Sequence, residues 1–274
     1  MRRILLMGAA FAILCSCSTT PVPEPVRSAA APATAAAVLA PSGKLRAAIN
    51  FGNPILAVKD PVTGEPMGVS VDLARELARR LGVPVELVPY PAAGKVVEGL
   101  KGHAWDVAFL VIDPERAVDL AFTPPYVVIE GVFLVATGSP IRDKADVDRA
   151  GVRIAVGAGS AYDLYLARAL QHATLVRAPS SPVVTDLFVA QKLDVAAGVK
   201  QQLEADARRL PGLRLLAGRF MVIHQAMAVP RERVDGVRYL DGFIEEMKTS
   251  GFIAQSLAHH RIEGAAIAPA GPAR

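Results

Sequence analysis

Apolar residues in this chain fall into short continuous runs and one clear helical stripe, and the two patterns alternate. The runs at 45–49, 85–88, 107–112, 132–136, 152–156, 174–176, 195–198, 213–216 and 225–229 read as strands. Between the first two, 69–81 places Leu73, Leu77 and Leu81 on one face, with Asp72 near its start and Gly82 after its end, which predicts a helix. Glu76 and Arg80 make an i, i+4 pair assigned to the exposed side of that helix. Residues 60–68 read as a hairpin-like turn, and further helices are predicted at 95–101, from Ser160 through Leu170, and at 182–192, 200–209, 231–249 and 252–260. Strands that alternate with helices pair in parallel, so the fold class is α/β with doubly wound sheets.

The amino terminus follows other rules. Arg2 and Arg3 precede an apolar run over 4–14 and small residues around Cys15 and Cys17, the layout of a secretory signal peptide. The run is too short to span a bilayer as a permanent helix. Leu14-Cys15-Ser16-Cys17 resembles a bacterial lipobox, which implies cleavage after residue 16 and acylation of Cys17; ordinary cleavage would instead release a soluble periplasmic protein. Residues 18–42 are rich in Pro and Ala and predict a flexible tether, and 265–274 a disordered tail. No cysteine exists beyond the processing site, so no structural disulfide is expected.

The chain of 274 residues is 52% hydrophobic, enough for a large core. Its formal charge of +4 falls to +2 once Arg2 and Arg3 are removed, and no basic stripe is interleaved with aromatics, so nucleic acid is not a predicted partner. His103, His172, His224, His259 and His260 make no metal-ligand spacing; no metal or cofactor is expected, and His259 and His260 are assigned to the surface.

The segment from Trp105 to Tyr126 carries the chemistry. A buried strand, with the indole of Trp105 packed at its start, ends at Asp113-Pro114, which delivers Arg116 beside the strand's carboxyl end, where ligands of open α/β sheets settle. A guanidinium there suits a carboxylate or phosphate; the alternative is a surface arginine paired with Glu115 or Asp119. The order strand, Pro114-Glu115-Arg116, Phe122-Thr123-Pro124-Pro125-Tyr126 resembles the family 3 extracellular solute-binding proteins, which deliver small solutes to ABC importers. The helix 69–81 matches that family's wording as well, and the resemblance runs over about 43–263. It implies a two-lobed type II periplasmic-binding-protein fold with two hinge crossings: lobe 1 from 43–136 plus 230–264, lobe 2 from 137–229. It also implies a periplasmic monomer whose partners are a small-molecule solute, the transmembrane subunits of a permease and, through Cys17, a bacterial membrane. Arg116 would clamp the solute's carboxylate. Asn50, Phe51 and Asn53 in the loop after the first strand, Tyr126, Ser160 and Tyr162 at the G-A-G-S-A-Y turn, and Lys200 complete the expected site; Ser160 also reads as a plain helix cap.

Three departures from the family pattern shape the expected ligand. The strand before Arg116 is Ala108-Phe109-Leu110-Val111-Ile112 without hydroxyl groups, Ala161 stands where a threonine is usual, and Val199-Lys200-Gln201-Gln202 lacks the aspartate that neutralises an amino-acid ammonium. A buried ammonium without a counter-charge is costly. The expectation is therefore an anionic or neutral polar solute, not a zwitterionic α-amino acid. Two other readings stand beside it: an enzyme similar to cyclohexadienyl dehydratase on the same fold, with Glu130 or Asp163 as the general acid, and a stand-alone sensory module.

Overall fold

The computed structural model describes residues 33–271. Cys15, Cys17, the signal peptide and most of the tether lie outside the described residues. In chain order the elements are α1 (Ala33–Leu39), β1 (Leu45–Asn50), β2 (Val58–Lys59), β3 (Pro66–Met67), α2 (Val69–Leu81), β4 (Val85–Tyr90), α3 (Ala93–Leu100), β5 (Val107–Val111), β6 (Leu120–Phe122) and β7 (Val127–Ala136). Then come β8 (Arg153–Gly157), α4 (Ala161–Ala169), β9 (Thr174–Ala178), α5 (Val184–Ala190), β10 (Val195–Val199), α6 (Lys200–Arg209), β11 (Leu213–Leu215), β12 (Met221–Pro230), α7 (Val234–Thr249), α8 (Phe252–His259) and β13 (Ala266–Ile267).

A curled sheet runs in the order β4-β1-β5-β12-β7-β10-β8-β9. At one end β1 pairs in parallel with β4 and β5, and at the other β8 pairs in parallel with β9 and β10. These two parallel units are the lobes, and β5 and β10 are buried at every position, as strands covered on both faces must be. The ten-residue strands β7 and β12 join them. β12 pairs with β7 through Met221–Gln225 and then with β5 through Gln225–Ala228, while β7 passes from β12 to β10 near Gly131. Each therefore serves one lobe with one end and the other lobe with the other, which makes the two hinge crossings. Both strands are longer than the sequence predicted. Gly131 does not break β7 because Met221 and Phe220 fill the space beside it; a Cβ there would lie 2.6 Å from Met221 Cγ.

α2 forms as its apolar spacing dictates, burying Leu73, Leu77 and Leu81 and ending on Gly82, whose φ of 69° lets its N–H reach back to the last turn. Trp105 packs as expected, fully buried and donating from Nε1 to the Val96 carbonyl at 2.9 Å.

Four expectations need correction. The last part of the predicted tether is the helix α1, whose Leu39 is fully buried against Gly236 of α7; an alanine-rich run has little periodicity, but alanine is the strongest helix former. The predicted tail is ordered through Gly271: β13 adds to β7, Ala268 is buried, and the Lys248 ammonium donates to the Pro269 carbonyl at 2.9 Å. Arg80 is buried, not exposed, because Glu246 of α7 reaches over it. The His260 side chain is buried too, held 2.8 Å from Asp72 where α8 packs on α2.

Candidate functional site

The carboxyl ends of the parallel strands of both lobes converge on one cavity, lined by Asn50, Asn53, Leu110, Val111, Arg116, Ser160, Tyr162, Ser181, Val199, Ile223 and Gln225 among others. Local chemistry sets each wall. Asn50 ends β1 and its Oδ1 accepts from the Gly52 N–H at 2.9 Å, which turns the chain so that Asn53 faces inward. After β5, Asp113 Oδ1 accepts from the Glu115 N–H at 2.9 Å and starts the short turn that carries Arg116. Across the gap, Gly159 adopts φ 65° and Ser160 caps α4, accepting from the Asp163 N–H at 3.1 Å.

Arg116 is 4% exposed. Its Nη2 donates to the Gly159 carbonyl of the opposite lobe at 2.7 Å and its Nη1 to the Val111 carbonyl at 3.4 Å. Its Nε is buried with no acceptor among the described residues, and Asn53 Oδ1, just past the end of the neighbouring strand β1, is buried with no donor among them. Burial brings the guanidinium down to about 10, opposed by the charges of Asp113 and Glu115. Arg116 is the only charged side chain among the lining residues. Burial pushes the Tyr162 hydroxyl up to about 12, opposed by hydrogen bonds with Ser181 and Ser160, so it stays neutral and polar near pH 7.

The cavity volume is 30 Å³, about the share of a single water molecule in the liquid. As the lobes stand, the cavity holds nothing larger than a water molecule. They meet closely here: a Cβ on Gly159 would stand 2.9 Å from the Gly94 Cα, backbone against backbone. A groove of 620 Å³ on the outer face between α2 and α8 is far larger, but Asp72, Glu76 and Arg79 along it are engaged with neighbours. The convergence of unpartnered polar atoms is at the smaller, interlobe cavity.

Of the residues singled out in the sequence, Asn50, Asn53, Arg116, Ser160 and Tyr162 meet at this cavity. Three do not. Tyr126 is buried in the lobe 1 core, edge-on to Phe109 and 3.2 Å from the Ser70 hydroxyl. Phe51 turns to the outer surface beside Lys59, 5.7 Å from its ammonium. Lys200 lies behind the hinge, 3.2 Å from Glu130, which also holds Arg219 at 2.9 Å. Sequence reasoning missed Gln225 and Ser181. Gln225 had a signal, an amide in the otherwise apolar end of β12; Ser181 had none beyond its place after a strand. Glu130 is therefore remote from the cavity, while Asp163 is tied to Arg177 at 2.9 Å and accepts from the Gly159 N–H.

Among the described residues no helix is long and apolar enough to cross a membrane, and no cluster of His, Cys, Asp or Glu could hold a metal ion. A search of curated proteins finds no match. Among solved structures, holo ArgBP from T. maritima is similar with a TM-score of 0.67 and 25% identity, over 78% of this chain and 95% of that one. A binding component of an ABC transporter from Wolinella succinogenes, complexed with lysine, gives 0.68 and 23% over 80% and 95%. An ancestral amino-acid-binding protein, a precursor of cyclohexadienyl dehydratase, gives 0.70 and 20% over 84% and 100%. These likenesses establish the type II periplasmic binding fold. The family description "Bacterial extracellular solute-binding proteins, family 3" matches residues 45–260, well over half of the chain, and with the two lobes, two hinge strands and interlobe cavity in place, the chain belongs to that family.

Proposed function

We propose that this protein is the solute-binding component of an ABC importer, acting as a monomer whose lobes, 43–136 plus 230–264 and 137–229, close on a small anionic or neutral polar solute. One observation carries the ligand class. Arg116 is a buried cation with an unpartnered Nε at a cavity whose lining includes no carboxylate, so the site offers charge to an anion and none to an ammonium. Asn53, Gln225, Ser160 and Ser181 supply neutral hydrogen-bonding groups around it. Among the similar structures one is complexed with lysine and another is arginine-bound, ligands whose ammonium groups would find no counter-charge on this lining. The same absence of a lining carboxylate weighs against a general acid in this cleft: Asp163 is tied to Arg177, and Arg219 and then Lys200 hold Glu130 below the usual carboxylate range.

Native mass spectrometry of the purified protein would identify a retained solute, and calorimetry with succinate, pyruvate and L-arginine tests the class. Binding of succinate or pyruvate with no response to L-arginine is the expected result; tight L-arginine binding overturns the reading. For the membrane, the proposal is anchoring through acylated Cys17, and Cys17→Ser should move the protein to the soluble periplasmic fraction.

A further inference from the structure

The clamp loop carries a charge problem that lobe 1 cannot solve alone. Arg116 is preceded by Asp113 and Glu115, so the loop by itself holds two negative charges and one positive. Either carboxylate could fold onto Arg116 and neutralise it, and the loop's net charge would repel an anion. In the structure neither does. Both are taken by Arg168 of α4: its Nη2 stands 2.7 Å from Asp113 Oδ2 and its Nη1 2.7 Å from Glu115 Oε1. Arg168 belongs to the helix whose capping Ser160 lines the cavity, so it travels with lobe 2. It does not itself line the cavity.

Building on the reading of Arg116 as an anion clamp, we propose that Arg168 is a closure-dependent positioning residue, which arrives from the opposite lobe, holds Asp113 and Glu115, and so keeps the Arg116 guanidinium available to the solute anion. With Arg168 in place the four charges sum to zero and the only charged side chain lining the cavity is Arg116. When the lobes part, Arg168 leaves and the two carboxylates regain access to Arg116. Closure and anion affinity are then coupled although Arg168 never touches the solute. The two contacts differ in weight. The Asp113 side chain is 6% exposed and its pairing is shielded, whereas Glu115 is 55% exposed and its share is weakened by salt.

Small-angle X-ray scattering of the unliganded protein, wild type against Arg168→Gln and Arg168→Lys, reads the interlobe hold directly, and succinate calorimetry reads the coupling. The glutamine variant should show a larger radius of gyration that no longer responds to salt, and succinate affinity weaker by about tenfold; the lysine variant should fall between. Adding Asp113→Asn to Arg168→Gln should recover most of the affinity while the radius stays large, a split that a merely structural pair would not give. An Arg168→Gln protein with wild-type radius and wild-type affinity overturns the proposal, as does a double variant no tighter than the single one. Should the wild type bind neither succinate nor pyruvate, the anion reading fails, and with it the coupling; the scattering comparison then still decides whether Arg168 holds the lobes together.

Discussion

Arg80 and Arg116 are both buried guanidinium groups of the first lobe, 9% and 4% exposed, yet their surroundings differ in kind. Arg80 is saturated: Glu246 accepts from it at 2.6 and 2.8 Å, Glu76 at 2.8 Å, and its carbon skeleton end lies 5.3 Å from the Phe243 ring. The Glu246 and Glu76 carboxylates hold it well above its ordinary value, and it in turn helps to hold them below theirs. Arg116 faces two backbone carbonyls and a cavity, and burial brings it down instead. A buried cation that is fully paired ties helices together; one left short of partners keeps binding energy in reserve for a guest.

Removing each charge should separate the two roles. Arg116→Gln is expected to weaken anion binding at least about a hundredfold, since a charge-assisted bidentate contact is worth about 3 kcal/mol, while thermal unfolding shows no loss of stability. Arg80→Gln should do the reverse, lowering stability by about 2 kcal/mol in denaturant titrations because Glu246 loses its partner and Glu76 keeps only Arg79, with affinity near wild type. An Arg116 variant that unfolds early while Arg80→Gln loses binding would invert the assignment.

The pH profile sharpens the same contrast. Above about pH 10 and below the ordinary arginine range, folded Arg116 has released a proton that the unfolded chain still holds, so its contribution to stability rises with pH there while anion affinity falls. Affinity should drop about tenfold per pH unit above the transition, and Tyr162, pushed up to about 12, remains neutral through its first part. Arg80, shifted the other way, contributes no such step.

Closure supplies an intermediate effect. Gly159→Ala would place a Cβ 2.9 Å from the Gly94 Cα at a φ of 65°, so the lobes could not meet, and binding should weaken by about tenfold in calorimetry. The smallest effect belongs to Lys200→Ala. Its partner Glu130 is on the hinge and not in the cavity, and the pair is half-exposed, so affinity should stay within about twofold of wild type.

The fold was largely legible. Continuous apolar runs marked the buried parallel strands, and Leu73, Leu77 and Leu81 with Gly82 marked α2 to the residue. The hinge strand β7 was cut short because Gly131 reads as punctuation until Phe220 and Met221 are seen beside it. The site was legible where chemistry is local: Arg116 after its turn, Ser160 as a cap, Asn50 and Asn53 in a Gly/Pro loop. Tyr126, Phe51 and Lys200 were misplaced because an aromatic or a lysine near a strand end has the same local signal whether it faces the cleft, the core or the outer surface. Arg168 was missed for the complementary reason: its partner lies far away in sequence, Arg168 meeting Asp113 across 55 positions.

What the sequence by itself determined was the alternation of strands and helices, the family and the unusual absence of an acidic residue after β10. These depend on residue type and short spacing, which solvent and backbone read locally. Which of two buried arginines would be left unpaired, and which distant charge would keep it so, only the tertiary structure decided. Electrostatic pairing depends on distance in space, and the folding of two lobes onto each other sets that distance.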